Sequence, residues 1–308
     1  MTFPFGWKWL LSGPAEDRVH SGLVNLEKLN RQQCEVWGEL QRYLADEREK
    51  KIVHLTDALW NSCIPVFDLS LGSRIVDTDY GDHPLCSVGS IKKPPGGRFN
   101  FGPISSFYSE FQSLYIASDY ETAFNEKFPL GSPGCALTPE ELALARPGSF
   151  THHRVNCSLR NVLDLRTSDS LKLFAAQISS IQIPDHIVTK GLELGLGRIY
   201  AVSDADSLRE NLLDPNFRQW AFTLDQPSNS QWFGHYTRKA GIEAVLFPSV
   251  RSDTGYNLAI YPENLGPASK VGLADPAPYL ESPYHVLQQS NHSLFLRTRE
   301  QMSLAPYN

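Results

Sequence analysis

Between residues 21 and 60, apolar side chains recur three or four positions apart: Leu26, Leu29, Val36, Trp37, Leu40, Tyr43 and Leu44, with charges of both signs between them. That period gathers the apolar residues on one side of a helix, so the segment reads as one long amphipathic helix or a helical pair with a packing face. Glu27, Glu35, Glu39, Asp46, Glu47 and Glu49 interrupt any basic face, which argues against a helix lying on a membrane surface. From Ile64 onward the pattern breaks into short apolar stretches separated by Gly, Pro, Asp and Ser, the signature of a chain that turns often and mixes α with β.

Within that mixed region the pattern predicts individual elements. Ser113 to Ala117 reads as a short strand, and Asp119 to Lys127 as a helix whose first residue caps the free amides of its first turn. Such a helix places Ala123 and Glu126 on adjacent parts of one face. Val155 to Leu165 supplies one or two strands, and Ser203 to Leu208 begins a helix that runs toward Leu212 and Leu213. Trp232 to Ala240 is helical and stops at Gly241. Ala244 to Phe247 then forms a buried strand running into Pro248-Ser249-Val250-Arg251, and Asn257 to Tyr261 a further strand. No period of 20 to 50 residues recurs, so repeat architectures are not expected.

Composition narrows the partners. The chain has 308 residues, 41% apolar and 20% charged, with a formal net charge of -6. This is an ordinary globular composition, sufficient for one main domain plus an extension. It lacks the basic excess of a nucleic-acid binder, so no nucleic-acid partner is expected, and any anionic ligand must be held by a few local cations. The longest apolar run near the start, Trp9-Leu10-Leu11, is far shorter than a signal-peptide core. No run approaches the roughly 18 residues of a membrane span, so neither standard secretion nor membrane insertion is expected. Five cysteines (Cys34, Cys63, Cys86, Cys135 and Cys157) are widely spaced and form no Cys-x-x-Cys pair, which fits reduced thiols in a cytoplasm.

Several familiar chemistries fail on spacing. Gly195-Leu196-Gly197-Arg198-Ile199-Tyr200 begins like a dinucleotide fingerprint but lacks the last glycine and follows no convincing strand. There is no Walker loop, no Gly-x-Ser-x-Gly elbow and no His-Glu-x-x-His helix. His152 and His153 would point to opposite sides of a strand, which is wrong for a shared metal, and no metal site is expected.

What remains is a loop and its neighbours. Gly96-Gly97-Arg98-Phe99-Asn100-Phe101-Gly102 presents an arginine on a backbone that glycine allows to approach a ligand closely, which makes Arg98 a candidate anion clamp. Leu114-Tyr115-Ile116-Ala117 and Ala123-Phe124-Asn125-Glu126 follow, and Gly241 to Arg251 with Asn257-Leu258 form a third block carrying Ser249. Taken singly, Arg98 reads as a surface ion pair, Glu126 as a solvated charge, Tyr115 as core and Ser249 as a turn residue. In this order and spacing the three blocks resemble the RES-domain family, the toxin half of RES-Xre toxin-antitoxin pairs, over roughly residues 83 to 268.

The resemblance implies an α+β fold, a compact domain similar to that of ADP-ribosyltransferase toxins with mixed and antiparallel sheets. A helical N-terminal extension over 1–80 would precede a RES domain over 81–268, with a long insert at about 130–230 and a C-terminal tail over 269–308. It also implies NAD as substrate and cleavage of the bond between nicotinamide and ribose. An arginine fork suits a pyrophosphate, which assigns Arg98. A carboxylate near the ribose can stabilise an oxocarbenium-like charge, which assigns Glu126. Tyr115 would stack on nicotinamide and donate through its hydroxyl, and Ser249 would bond the substrate or position the nucleophile. Phe99 and Asn100 join the cofactor-binding set, with Arg251 and Asn257 as further candidates in a loop that covers the ligand. Three functions stand open: an NAD phosphorylase or glycohydrolase that depletes cellular NAD, a mono-ADP-ribosyltransferase, and a non-catalytic binding protein on the same scaffold. An antitoxin or immunity protein is the expected partner, although the insert and the extension both set this chain apart from the minimal form, and a homodimer through the 21–60 helix is left open.

Overall fold

The structure is a computed structural model in which residues 15–92, 94–104, 108–128, 150–196, 199, 202, 204–219, 226–274 and 284–297 are described, with side chains from residue 28 onward. Cys135, the Trp9-Leu10-Leu11 run and the Leu26 side chain lie outside the described residues. The chain divides into two units.

The first unit holds helix α1 (Ala15–Lys50) and helix α5 (Asp185–Glu193). The periodic face predicted for α1 is the face that packs: Val36 and Leu40 are buried with Ile187 and Ile199, and Trp37, Tyr43 and Leu44 surround them. Two long-range bonds fix the pairing, Gln33 Nε2 to the Leu194 carbonyl at 2.8 Å and Tyr43 Oη to the Gln182 carbonyl at 2.7 Å. Lys51 breaks the run at ψ 10, and α2 (Ile52–Trp60) follows as part of the second unit, so the periodic stretch is a helical pair.

The second unit is mixed α and β. Its strands are β1 (Ile64–Asp77), β2 (Leu114–Ala117), β3 (Phe150–Asp164), β4 (Ala244–Pro248), β5 (Tyr256–Ile260), β6 (Lys270–Leu273) and β7 (Val286–Gln288). They lie in the order β1-β2-β5-β4-β3-β6-β7, and β1 also pairs with β3, which closes a circuit of five strands. Every pairing is antiparallel except β3 with β4. Period-two alternation divides the strands into two faces. Leu114 and Ile116, Ala244 and Leu246, and Leu258 and Ile260 fill the main core with Val155, Leu159 and Val162 of β3. Tyr115, Ala117, Phe247 and Asn257 fall on the alternate positions, and register brings them together, since Ala117 and Phe247 both oppose Asn257. The candidate site lies on that second face.

β1 contains a one-residue bulge: Leu69 opposes Cys157, but Gly72 opposes Val155. Leu71 sits there at φ 59, its N–H donating to Asn156 Oδ1 at 2.8 Å. A bulge shifts which side chains face which way beyond it, and the next residues, Ser73, Arg74 and Ile75, line the site pocket. His152 and His153 go to separate partners across β3, Ser73 Oγ and Thr151 Oγ1 respectively.

Helices fill the rest of the unit: α3 (Tyr120–Lys127), α4 (Lys172–Ile178), α6 (Ala205–Leu212) and α7 (Asn229–Lys239). Asp119 caps α3 as expected, accepting from the Thr122 amide and hydroxyl, both at 2.8 Å. Burial alone would raise the Asp119 pKa, but hydrogen bonds from Ser118 and Thr122 outweigh it and hold the pKa below the ordinary value. Asp119→Ala is expected to cost about 1 kcal/mol of stability, read from the urea midpoint. An unchanged midpoint would show that the cap contributes nothing.

Candidate active site

The arginine loop is built to a fixed shape. Gly102 N–H closes onto the Pro95 carbonyl at 2.9 Å, and Gly96 adopts φ 101, where a Cβ would meet Gly102 N at 2.4 Å. Only glycine fits there. Fully buried Gln231, from the capping box of α7, donates through Nε2 toward the carbonyls of Pro95, Gly97 and Asn100 at 2.7, 3.2 and 3.1 Å. Asn100 bridges the other side: its Nδ2 donates to the Ser90 and Phe111 carbonyls, and its Oδ1 accepts from Gly97 N–H at 3.2 Å and from the Tyr115 hydroxyl at 2.9 Å.

Three sequence expectations change here. Tyr115 Oη donates to Asn100 and accepts from Phe99 N–H at 2.9 Å, so its proton is committed to the loop and is not aimed at a ligand. Burial pushes that hydroxyl's pKa above its ordinary value, which favours the neutral donor. Tyr115 still lines the pocket. Asn100 and Phe99 do not line it: Asn100 is fully enclosed by the loop it holds, and Phe99 is wholly buried against Phe247 at a ring separation of 4.9 Å. Both shape the loop from behind.

Arg98 is 7% exposed, and its Nη1 donates to the carbonyls of Leu212 and Asp214 at 3.0 and 2.8 Å. The first belongs to the last turn of α6, whose carbonyls lack helical partners, and the second follows just beyond the helix. Its guanidinium also lies 4.6 Å from the Phe217 ring centre. Burial lowers its pKa to about 10, with Glu126 working in the opposite sense, so the group is charged at neutral pH.

Glu126 projects from the last turn of α3 and is held by three residues of the third block. Ser249 Oγ donates to Oε1 at 2.8 Å, Asn257 Nδ2 to the same oxygen at 3.1 Å, and Arg251 Nε stands 3.5 Å from Oε2. Ser249 is itself fixed, its N–H bonded to the Gly255 carbonyl at 2.9 Å and its Oγ accepting from Arg251 N–H at 3.1 Å. Ser249 is not a lining residue; it orients the carboxylate.

Arg98, Tyr115, Glu126, Arg251 and Asn257 border one pocket of about 560 Å³. Sequence reasoning missed Arg74, Lys127, Phe217 and Arg218, which line it as well. Five cations thus surround one carboxylate in a chain whose net charge is -6. Arg74 had no signal because its strand carries a bulge. Phe217 and Arg218 follow Pro215-Asn216 in a stretch without periodicity, so only the Arg98 contacts reveal them.

Such a pocket suits a polyanion with one centre that develops positive charge. Among the described residues no cluster of three or more metal-ligating side chains occurs, and no helix is long and apolar enough to cross a membrane.

Comparison with known proteins gives three findings. No curated protein matches the chain. A solved structure, the M. tuberculosis MbcT-MbcA toxin-antitoxin complex, is 13% identical, with 72% of this chain and 90% of that chain covered at a TM-score of 0.42. Residues 184–281 match the RES domain, a span that holds Ser249, Arg251 and Asn257 and not Arg98 or Glu126. That matched domain is the family that the three motif blocks resemble.

Proposed function

We propose that the protein is an NAD-consuming enzyme that breaks the bond between nicotinamide and ribose and passes the ADP-ribosyl group to phosphate or water. The observation that carries this reading is Glu126, a carboxylate oriented by Ser249, Asn257 and Arg251 within a pocket whose other charged lining residues are all cations. The cations of the pocket suit the pyrophosphate, and the carboxylate suits the ribose. As the C1′–N bond breaks, its electron pair goes to the nicotinamide nitrogen and the ribose takes on oxocarbenium character. Glu126 faces that developing charge, and an incoming oxygen then bonds C1′, a water releasing its proton to solvent. Arg98 and the ring of Tyr115 position the substrate. On this reading the domain is akin to ADP-ribosyltransferase toxins, drains a cytoplasmic NAD pool, and is restrained by an antitoxin or immunity protein.

The test is incubation of the purified protein with NAD, with and without phosphate and with a cell lysate, following nicotinamide and the ADP-ribose product. Nicotinamide release that depends on phosphate identifies a phosphorylase, and release without phosphate a glycohydrolase. ADP-ribose appearing on protein identifies a transferase instead. No nicotinamide under any condition overturns the reading in favour of a binding protein.

A further inference from the structure

Four of the five pocket cations are engaged by the protein itself. Arg74 donates to the carbonyls of Pro84, Tyr115 and Cys86 at 2.5, 2.6 and 2.9 Å, one from each guanidinium nitrogen. Lys127 pairs with Asp77 at 2.7 Å and Arg251 with Glu126. Arg98 gives Nη1 to two carbonyls. Among the described residues, Arg218 makes no ion pair and no hydrogen bond to a carbonyl; its guanidinium carbon lies 4.9 Å from the centre of the Phe217 ring, and Tyr115 and Glu126 attract its charge without pairing with it.

The Phe217 ring carries the Arg98 guanidinium as well, at 4.6 Å, so two cations share one aromatic plate. That plate does not swing freely. Phe217 is buried, its N–H bonds the Asp214 carbonyl at 3.3 Å, and the same carbonyl accepts from Arg98. One short segment therefore places Arg98 and Arg218 beside the same ring, near enough that Arg218 adds to the lowering of the Arg98 pKa. Like charges placed together repel unless an anion joins them.

We propose that Arg218 is a second phosphate-binding residue, which together with Arg98 grips the diphosphate of a dinucleotide from the two contacts of the Phe217 plate. The inference deepens the reading of this pocket as an NAD site and rests on it. Arg218 is exposed as a whole residue, while its charged end is partly buried by its neighbours, so it reaches solvent from within the pocket wall. Its pKa is lowered, first by burial of the charge, with Arg251 adding to the effect, and the negative charge of a bound diphosphate acts in the opposite sense. As a guanidinium it offers phosphate oxygens a planar fork.

The test compares wild type with Arg218→Gln and Arg218→Lys, measuring binding of ADP and adenosine by calorimetry and NAD cleavage kinetics. For Arg218→Gln, ADP affinity is expected to fall roughly 10- to 100-fold, the range of a charge-assisted hydrogen bond. Adenosine binding stays unchanged, and KM for NAD rises by a similar factor while kcat holds. Arg218→Lys, a point charge without the fork, is expected to lie between. Wild-type ADP affinity and KM in Arg218→Gln overturn the proposal while leaving NAD cleavage standing. Arg218-dependent ADP binding by a protein that releases no nicotinamide does the reverse. Loss of adenosine and ADP binding together in Arg218→Gln also overturns it, because the effect is then not on phosphate.

Discussion

Glu126→Gln is expected to lower nicotinamide release from NAD by roughly 10²- to 10³-fold, about 3 to 4 kcal/mol in the transition state, while the fold and ADP binding persist. Glutamine keeps the length and an oxygen that can still accept from Ser249 and Asn257, so the local hydrogen bonds of 2.8 and 3.1 Å have a replacement acceptor. The negative charge has none. The loss therefore falls on kcat, where positive charge develops at the ribose, and not on KM, which the arginines govern. Ser249→Ala sharpens the reading: it removes an orienting donor and leaves the charge, so its effect is expected to be smaller, on the order of 10-fold. Nicotinamide release at the wild-type kcat in Glu126→Gln would remove Glu126 from the chemistry. Equal losses in the two variants would mean that orientation, not charge, is what the site supplies.

The elements legible in the sequence were those whose local signals agree with their tertiary use. Asp119 is followed by a helix and caps it; Asp204 does the same for α6; Gly241, at φ 77, ends the region that α7 occupies. The short strands around Leu114, Ala244 and Leu258 were legible because each is a brief apolar run bounded by turn residues. β1 was not. It spans Ile64–Asp77, the bulge at Leu71 breaks its alternation, and much of its partner surface comes from β3, more than 80 residues away at the Leu71–Asn156 contact. The segments after Lys270 gave no pattern because β6 and β7 have four and three residues. Strands that short are specified by the neighbours they pair with, not by their own periodicity.

The site was legible at its ends and opaque in its middle. The glycines announced a loop of unusual backbone, and Glu126 and Ser249 do meet, 123 positions apart. Roles were harder to read than positions. Whether Tyr115 offers its hydroxyl to a ligand depends on where Asn100 and the Phe99 amide lie, and Phe99 is core because Phe233 and Phe247 enclose it. None of those neighbours is near in sequence. Arg218 is the same problem in reverse: an ordinary arginine in an aperiodic stretch, made notable only by sharing Phe217 with Arg98.

Gly234→Ala is expected to destabilise the protein by about 1 to 3 kcal/mol and to weaken nucleotide binding, although the position is inside helix α7. Helix propensity alone predicts the opposite sign, since alanine is favoured over glycine in a helix interior by about 1 kcal/mol. Packing decides. A Cβ on Gly234 would lie 2.3 Å from the Phe99 carbonyl oxygen, 2.5 Å from its carbon and 2.7 Å from its Cα. That backbone cannot retreat cheaply: its oxygen accepts from Tyr261 Oη at 3.2 Å, its N–H is bonded to Tyr115, and its side chain is wholly buried. The helix must therefore back away or the loop must move, and Arg98 moves with the loop. Gly191→Ala in α5 is the internal comparison. There a Cβ would approach the Ile199 Cδ1 at 2.5 Å, the end of a side chain that can rotate, in the unit that does not carry the pocket. Its expected effect on stability is near zero, and on ADP affinity none. Urea unfolding and ADP calorimetry on the two variants check the pair, and a Gly234→Ala protein more stable than wild type would show that the loop is softer than its hydrogen bonds imply.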